Sequence, residues 1–325
     1  MKAVLAAITM NVMLVVMSGI ASSKAARADN PCSTGTTAKF DGACWNARNT
    51  NEKLSIVQGI WAGGDARIAA VSLIGDEPSY LFSKDFMALP SMTTLGDISA
   101  YFDVLYKIPA NREIPWKWAY ILATMNARDD DSNDRVALVK FLREYKELPT
   151  YGKYLGAITP DSIKVEANGH VFEVRLAGVT AKGMTDTDRR RAVAYLNAFK
   201  RVSWWSCDRA EDASVFLTYG DIFASDGRLQ ATALISGNNV CINGQIFGFS
   251  DISGINMNRL NLSYLLTAYG ISYSEEYVDP KWSDNDRQMF SFSVVSGNAI
   301  NKKLYLHGGN KDLTVEAILA QSAGL

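Results

Sequence analysis

The spacing of hydrophobic residues changes close to residue 150 of this chain. Upstream, apolar residues recur at positions i, i+3, i+4 and i+7, as on one face of a helix, at Ile98, Tyr101, Phe102 and Leu105. Downstream, in DSIKVEANGHVFEVRL, apolar and polar residues alternate, which is typical of strands with one buried face. The chain is therefore predicted to be α+β, with a helical domain followed by a β domain.

The alternating segment predicts a β-hairpin. The alternation runs on both sides of Asn168-Gly169, which is a preferred pair for a type I′ turn. A helix is expected next, because Thr185 is a suitable N-cap with Asp188 three residues later. Further on we expect strands in VSWWSC and GQIFGFSDI, a helix in RLNLSYLLTAY that ends at Gly270, and a last helix in KDLTVEAILAQ.

Prolines divide the helical half of the chain. Pro109 is expected to end the helix GDISAYFDVLYKI. The next helix, PWKWAYILATMNA, is predicted to carry Pro115 in its first turn. A third, DRVALVKFLREYKEL, is predicted to be capped by Asp134 and to stop at Pro149.

The N-terminus resembles a secretory signal peptide. Lys2 precedes an apolar stretch, and Ala26-Arg27-Ala28 matches the A-x-A cleavage pattern. An uncleaved membrane anchor is the alternative, but polar residues interrupt the stretch, and a spanning helix needs about 20 apolar residues. Cleavage after Ala28 leaves 297 residues and changes the formal net charge from −1 to −4. We expect a periplasmic or secreted protein with no global field that attracts nucleic acid or anionic lipid.

The cysteine count fits an exported protein. All four cysteines follow the predicted signal peptide, and an even number in an exported chain indicates disulfides. Local pairing favours Cys32–Cys44 and Cys207–Cys241 among three possible connectivities. Zinc is disfavoured, because neither His170 nor His307 lies at ligand spacing from a cysteine.

About half of the mature chain, residues 156–306, resembles the staphylococcal nuclease-like (thermonuclease) family. TPDSIKVEANGHVFEVRLAGVTA is similar to the family's DGDT and R-L-x-G-I-D-x-P-E segments. NGQIFGFSDISGINMNRLNLSYLLTAYGIS is similar to its Y-G-R and L-N-x-x-L-V-x-x-G segments, and NKKLYL to its K-x-G-L-W ending. The resemblance implies an OB-type five-stranded β-barrel with helices.

The resemblance also implies positions for a calcium-dependent nuclease site. Asp161 stands at one metal-ligand position and Arg175 at the first arginine position. The second metal carboxylate is replaced by Thr180 and the catalytic glutamate by Gly183. The second arginine is replaced by Gln245. An alternative alignment puts this step at Tyr219-Gly220-Asp221, with DGRLQATALISG behind it.

These substitutions predict a degenerate site, or pseudoenzyme. Phosphodiester attack concentrates negative charge, and the loss of one stabilising group typically costs about 10²–10³ in rate. A single carboxylate cannot hold calcium, which takes six to eight oxygens. No catalytic residue is assigned: Arg175 and Gln245 are vestigial candidates, and Asp161 is a vestigial metal ligand. Asp161 and Arg175 fit a surface ion pair equally well. No cofactor is expected, except calcium if the site is an altered but active nuclease.

The helical half carries a second, weaker resemblance. Residues 51–128 are similar to Rap/Tai-type periplasmic proteins, which include immunity proteins against secreted amidases. The shared pattern is a G-x-x-x-G helix followed by P-x-N-R-x-[IL]-P, and it is matched by Gly59, Gly63, Pro109, Asn111, Arg112, Ile114 and Pro115. The family's cysteine pair is absent from this segment.

Two other clusters have plain structural interpretations. Arg189–Arg191 is interpreted as a solvated helix face, because Asp186 and Asp188 flank it. In Trp204-Trp205, alternation along a strand lets at most one ring reach the surface.

The sequence thus predicts a signal peptide (1–28), a helical domain with an N-terminal disulfide segment (29–150), a degenerate nuclease-like barrel (151–306) and a C-terminal helix (307–325). The leading hypothesis for function is an exported, non-catalytic protein that binds a protein partner as part of bacterial cell-envelope machinery. The alternatives are a secreted calcium-dependent nuclease with an altered site and a periplasmic immunity or inhibitor protein.

Overall fold

The computed structural model describes Cys32 and residues 40–74, 92–203, 205–219, 222–236, 239–248, 259–274 and 302–322. The predicted signal peptide with its cleavage site at Ala28, and also Trp204, Gly220 and Asp221, lie outside the described residues.

Helices form the described part of the chain upstream of residue 150: α1 Gly42–Asn46, α2 Thr50–Ile74, α3 Leu95–Lys107, α4 Trp116–Ala127 and α5 Ser132–Tyr145. Thr94 begins α3 with a capping box to Asp97. The core of this part is aromatic: the Trp45 ring lies 4.7 Å from that of Phe102 and 6.3 Å from that of Trp116, centroid to centroid. The predicted helical half is confirmed.

Two predicted helix starts were displaced by a few residues. The cap of α5 is Asp131, whose carboxylate accepts a hydrogen bond from the Asn133 amide at 2.8 Å, while Asp134 lies within the first turn. Pro115 is the N-cap of α4 and therefore precedes its first turn. Its extended backbone, at ψ 148°, suits the residue before a helix.

The β part is a closed five-stranded mixed barrel, which confirms the α+β class. Its strands are β1 Tyr151–Thr159, β2 Ser162–Ala167, β3 His170–Leu176, β7 Ser214–Thr218 and β8 Leu229–Ser236. Their order around the barrel is β1-β2-β3-β8-β7 and back to β1. All pairs are antiparallel except β3 with β8, where Val174 lies opposite Leu229 and Arg175 opposite Gln230.

The barrel interior is filled by aliphatic side chains on alternate positions of its strands. These fully buried residues are Ile163, Val165, Val174, Leu176, Val215, Leu217, Ala231, Ala233 and Ile235. The predicted hairpin is present, with Asn168 (φ 53°) and Gly169 (φ 79°) as its two turn residues. The predicted helix after it is α6, Asp186–Asn197, which Thr185 caps.

Smaller elements surround the barrel. A second sheet has the order β10-β9-β5-β6, formed by β5 Arg201–Ser203, β6 Glu211–Asp212, β9 Asn239–Ile242 and β10 Gln245–Gly248. The others are β4 Val179–Thr180, β11 Arg259–Asn261, which extends the barrel beside β8, β12 Tyr273–Ser274, α7 Leu262–Ala268 and α8 Leu313–Ser322. The predicted C-terminal helices correspond to α7 and α8.

A glycine shapes the first barrel strand. The register between β1 and β2 shifts at Gly156, whose φ of +110° favours glycine. A Cβ here would overlap Oδ1 of Asn197 and Cε of Lys200. Asn197 Oδ1 instead accepts a hydrogen bond from the Ala157 amide at 3.1 Å. Gly156 therefore lets the end of α6 pack directly on the β1 backbone.

Aromatic contacts join the helices to the barrel. The Phe141 ring on α5 lies 5.9 Å from that of Phe172 on β3 and 6.2 Å from that of Phe223. Tyr145 packs on the same Phe172 ring at 5.1 Å. These contacts continue one apolar core from the helices into the barrel, and the domain division at residue 150 stays a prediction.

Both locally predicted disulfides, Cys32–Cys44 and Cys207–Cys241, are present. Such bonds persist in oxidising compartments, which is consistent with an extracytoplasmic protein. Within the described residues, no helix combines the length and the apolar character that crossing a bilayer requires.

Candidate functional site

Asp161 lies in the turn that joins β1 to β2. Its Oδ1 accepts a hydrogen bond from Thr159 Oγ1 at 2.8 Å, and its backbone oxygen accepts one from the Leu176 amide at 2.8 Å. The Leu176 bond ties the turn to the end of β3. The carboxylate is therefore held at the position where β3 carries Arg175.

Arg175 points outward from β3, because its neighbours Val174 and Leu176 fill the barrel. Its Nε lies 4.0 Å from Asp161 Oδ2, and its Nη1 donates to Gln230 Oε1 on β8 at 3.4 Å. The Arg175 and Asp161 side chains are only 16% and 15% exposed. The two residues thus form an ion pair that is more buried than the surface ion pair that was one of the two interpretations of the sequence.

A second arginine, Arg228, was missed by the sequence interpretation. It directly precedes β8 and donates from Nη1 to Glu173 Oε1 at 3.0 Å. Its Nη2 lies 2.8 Å from Asp226 Oδ2, and Nε donates to the same oxygen at 2.9 Å. Hydrogen bonding from Arg228 lowers the pKa of Asp226. We call Asp161, Glu173, Arg175, Asp226 and Arg228 the arginine–carboxylate cluster.

Gln245 does not join this cluster. It lies on β10 in the second sheet, where Asn243-Gly244 is a hairpin turn with φ values of 50° and 79°. The last barrel strand is β8, so the step before it in the chain is Asp226-Gly227-Arg228. The assignment of Gln245 to the second arginine position stays a prediction, and the structure places this residue after a two-residue hairpin turn in the second sheet.

Thr180 and Gly183 stand where the resemblance would put acidic residues, and the structure gives the surroundings of both. Thr180 lies on β4, and its hydroxyl accepts a hydrogen bond from the Lys182 amide at 3.2 Å. Gly183 has a φ of +82°, in the left-handed region that favours glycine. Among the described residues, no group of three or more His, Cys, Asp or Glu side chains is arranged to hold a metal ion.

The charges of the arginine–carboxylate cluster are nearly balanced. Two guanidinium groups face three carboxylates, which gives a formal charge of −1 when all five groups are ionised. Each arginine is engaged: Arg175 by Asp161 and Gln230, and Arg228 by Glu173 and Asp226. Both arginines of the cluster are therefore paired with side chains of the protein itself.

The motif shared with the Rap/Tai-type proteins builds a corner of the helical core. Asn111 is 1% exposed, and its Nδ2 donates to the Leu105 oxygen at 2.8 Å while its Oδ1 accepts from Arg143 Nε at 2.8 Å. The oxygen of the buried Ile114 accepts from the Tyr106 hydroxyl at 2.9 Å. These residues act in packing and capping.

The two glycines of the G-x-x-x-G match lie on α2. A Cβ added at Gly59 or at Gly63 would meet no described atom within 4 Å. Neither glycine is therefore needed for a close approach between described helices.

The predicted solvated arginine face divides into two parts. Arg191 lies 3.6 Å from Asp188 and stacks over the Tyr305 ring at 4.9 Å. Arg189 and Arg190 instead line a pocket beside β1. Trp205 is 81% exposed and lies outside any strand, since β5 ends at Ser203.

Comparison with known proteins gives no family for this chain. No protein-family model matches it. No curated protein sequence matches it significantly.

Proposed function

We propose that this chain is an exported, non-catalytic protein that binds a protein partner in the bacterial cell envelope, and that its barrel is a degenerate nuclease-like OB barrel. The strand order β1-β2-β3-β8-β7 with β3 parallel to β8, and a helix between β3 and β7, supports the OB-type assignment. The disulfides support export.

The proposal that the protein is non-catalytic rests on one observation: two carboxylates contact the Arg228 guanidinium. Glu173 Oε1 and Asp226 Oδ2 lie 3.0 and 2.8 Å from its guanidinium nitrogens. Catalysis of phosphodiester hydrolysis requires cations aimed at the charge that develops in the transition state. A cluster with a formal charge of −1 repels a phosphodiester, and its arginines would have to exchange carboxylate partners for phosphate oxygens.

An altered nuclease is the second candidate, and one observation favours it. Asp161, Arg175 and Arg228 belong to one cluster at the barrel, so this candidate would assign them to the two arginine positions and one metal-ligand position of the thermonuclease pattern. Glu173 and Asp226 supply further carboxylates beside them. Against it stand Thr180 and Gly183, which replace two acidic groups of the pattern.

A cleavage assay separates the two candidates. Mature protein incubated with calcium and labelled single-stranded DNA is expected to leave the DNA intact. Arg175→Ala and Arg228→Ala variants serve as controls for contaminating nucleases. Calcium-dependent cleavage by the parent protein that disappears in both variants would establish the nuclease and refute the proposal.

A further inference from the structure

A pocket of about 770 Å³ lies beside the β1–β2 turn. The end of β1, the helix α6 and the strands β5 and β9 of the second sheet form its walls. Asn197 and Lys200 approach β1 here because Gly156 leaves room for them. The pocket is therefore built by the same bulge that shapes β1.

Among the described residues that line the pocket, all charged side chains are cationic: Arg189, Arg190, Lys200 and Arg201. Arg189 Nη2 donates to the Ala181 oxygen at 2.9 Å, and Arg201 Nη2 donates to the Ala210 oxygen at 2.6 Å. Carbonyl oxygens orient a guanidinium group but leave its full positive charge in place. The lining thus carries a formal charge of +4 in a chain that is acidic overall.

Two carboxylates near the pocket form ion pairs with cations that do not line it. Asp212 lies opposite Arg201 in the β5–β6 ladder, but Lys153 Nζ contacts its carboxylate at 2.7 Å. Asp188 contacts Arg191 at 3.6 Å and the Thr185 hydroxyl at 2.6 Å. Neither carboxylate is among the residues that line the pocket. Asp212 also attracts Arg201, but the lining as a whole keeps an excess of positive charge.

The floor of the pocket is aliphatic. Ile158, Val193 and Ile242 line it together with Ala194. None of the described lining residues is aromatic, whereas sites for single-stranded nucleic acid usually combine cations with aromatic rings on which bases stack. The lining therefore favours a ligand that presents carboxylates beside aliphatic side chains.

We propose that this pocket binds an acidic peptide segment of a partner protein, with carboxylates on the four cations and a leucine-like side chain on the Ile158–Val193–Ile242 floor. The proposal rests on the protein-binding function proposed above and names the chemistry of the partner. Complementary charge on the two surfaces would accelerate the encounter and set its specificity.

A labelled peptide with the repeat Glu-Glu-Leu tests the proposal by fluorescence anisotropy with the full mature protein at low salt. The double variant Arg190→Glu/Lys200→Glu is expected to raise its Kd at least tenfold. The matched control Lys107→Glu/Lys140→Glu reverses two exposed cations, one on α3 and one on α5, and should leave the Kd unchanged. A peptide with glycine in place of leucine should bind more weakly than the parent peptide.

Three results would overturn the inference: no saturable binding of the acidic peptide, equal binding by the double variant, or tighter binding of an oligothymidylate at the same residues. If the double variant is misfolded by circular dichroism, Arg190→Gln/Lys200→Gln replaces it in the same comparison. DNA cleavage in the separate nuclease assay would refute the proposed function without changing the outcome of the peptide measurement.

Discussion

Replacing Gly156 by alanine tests how much of the barrel and pocket depends on the β1 bulge. The new Cβ would lie under 3.0 Å from Asn197 Oδ1 and from Lys200 Cε, at a backbone φ of +110°. Either Asn197 and Lys200 move away from β1, or the bulge straightens and the β1–β2 register changes. Both responses break the hydrogen bond from the Ala157 amide to Asn197.

The expected cost follows from three contributions. The positive φ costs an alanine about 1–2 kcal/mol. Loss of the hydrogen bond costs about 1 kcal/mol. Relief of the steric overlap costs about 1–3 kcal/mol more, as for other overpacked sites. We therefore expect the free energy of unfolding to fall by about 3–6 kcal/mol.

Urea unfolding followed by circular dichroism measures this change, and hydrogen exchange of residues 151–167 localises it. Gly169→Ala is the matched control, because Gly169 also has a positive φ, of +79°, but a Cβ there meets no described atom within 4 Å. The free energy of unfolding of the control should fall by only about 1–2 kcal/mol, because of backbone strain at the positive φ. Equal losses in the two variants would refute the role given to Asn197 and Lys200.

Two further predictions concern covalent and titratable groups. Cys207→Ser/Cys241→Ser should lower the free energy of unfolding by about 3–4 kcal/mol, because the bond closes a loop over 34 positions; an unchanged urea midpoint would contradict it. Burial lowers the pKa of His307 below its usual 6.5. Between the folded-state pKa and pH 6.5, the unfolded state therefore binds more protons than the folded state. The contribution of His307 to the free energy of unfolding is fully present above pH 6.5, and it is lost as the pH falls towards the folded-state pKa. Proton NMR, with His170→Gln to assign the resonances, should give His307 the lower pKa of the folded state; a value at or above 6.5 would contradict the effect of burial.

Local patterns in the sequence predicted much of the fold. The hairpin around Asn168-Gly169 and the Thr185 cap depend on residues a few positions apart, and both are present. The disulfides also followed from separations of 12 and 34 residues. Interactions of this range leave a signature that a single sequence carries.

The closing strand of the barrel was harder to identify. β8 pairs in parallel with β3, more than fifty residues upstream, and no local pattern encodes that pairing. The segment Asn243–Gln245 carries the stronger turn pattern, and the structure shows that this turn joins β9 to β10 outside the barrel. The arginine–carboxylate cluster stayed hidden for the same reason, since Glu173 and Arg228 meet only when β3 and β8 pair. The pocket beside α6 depends equally on the folded packing of distant segments.

The strand Leu229–Ser236 hydrogen-bonds to three neighbours: β3 along its first half, β11 along its last, and β7 on the opposite edge. A slip of one residue would turn Ala231 and Ala233 out of the interior and bring Thr232 into it. All three ladders would then lose register together. Partial detachment of this strand is therefore costly, and its amides should be among the last in the molecule to exchange with solvent.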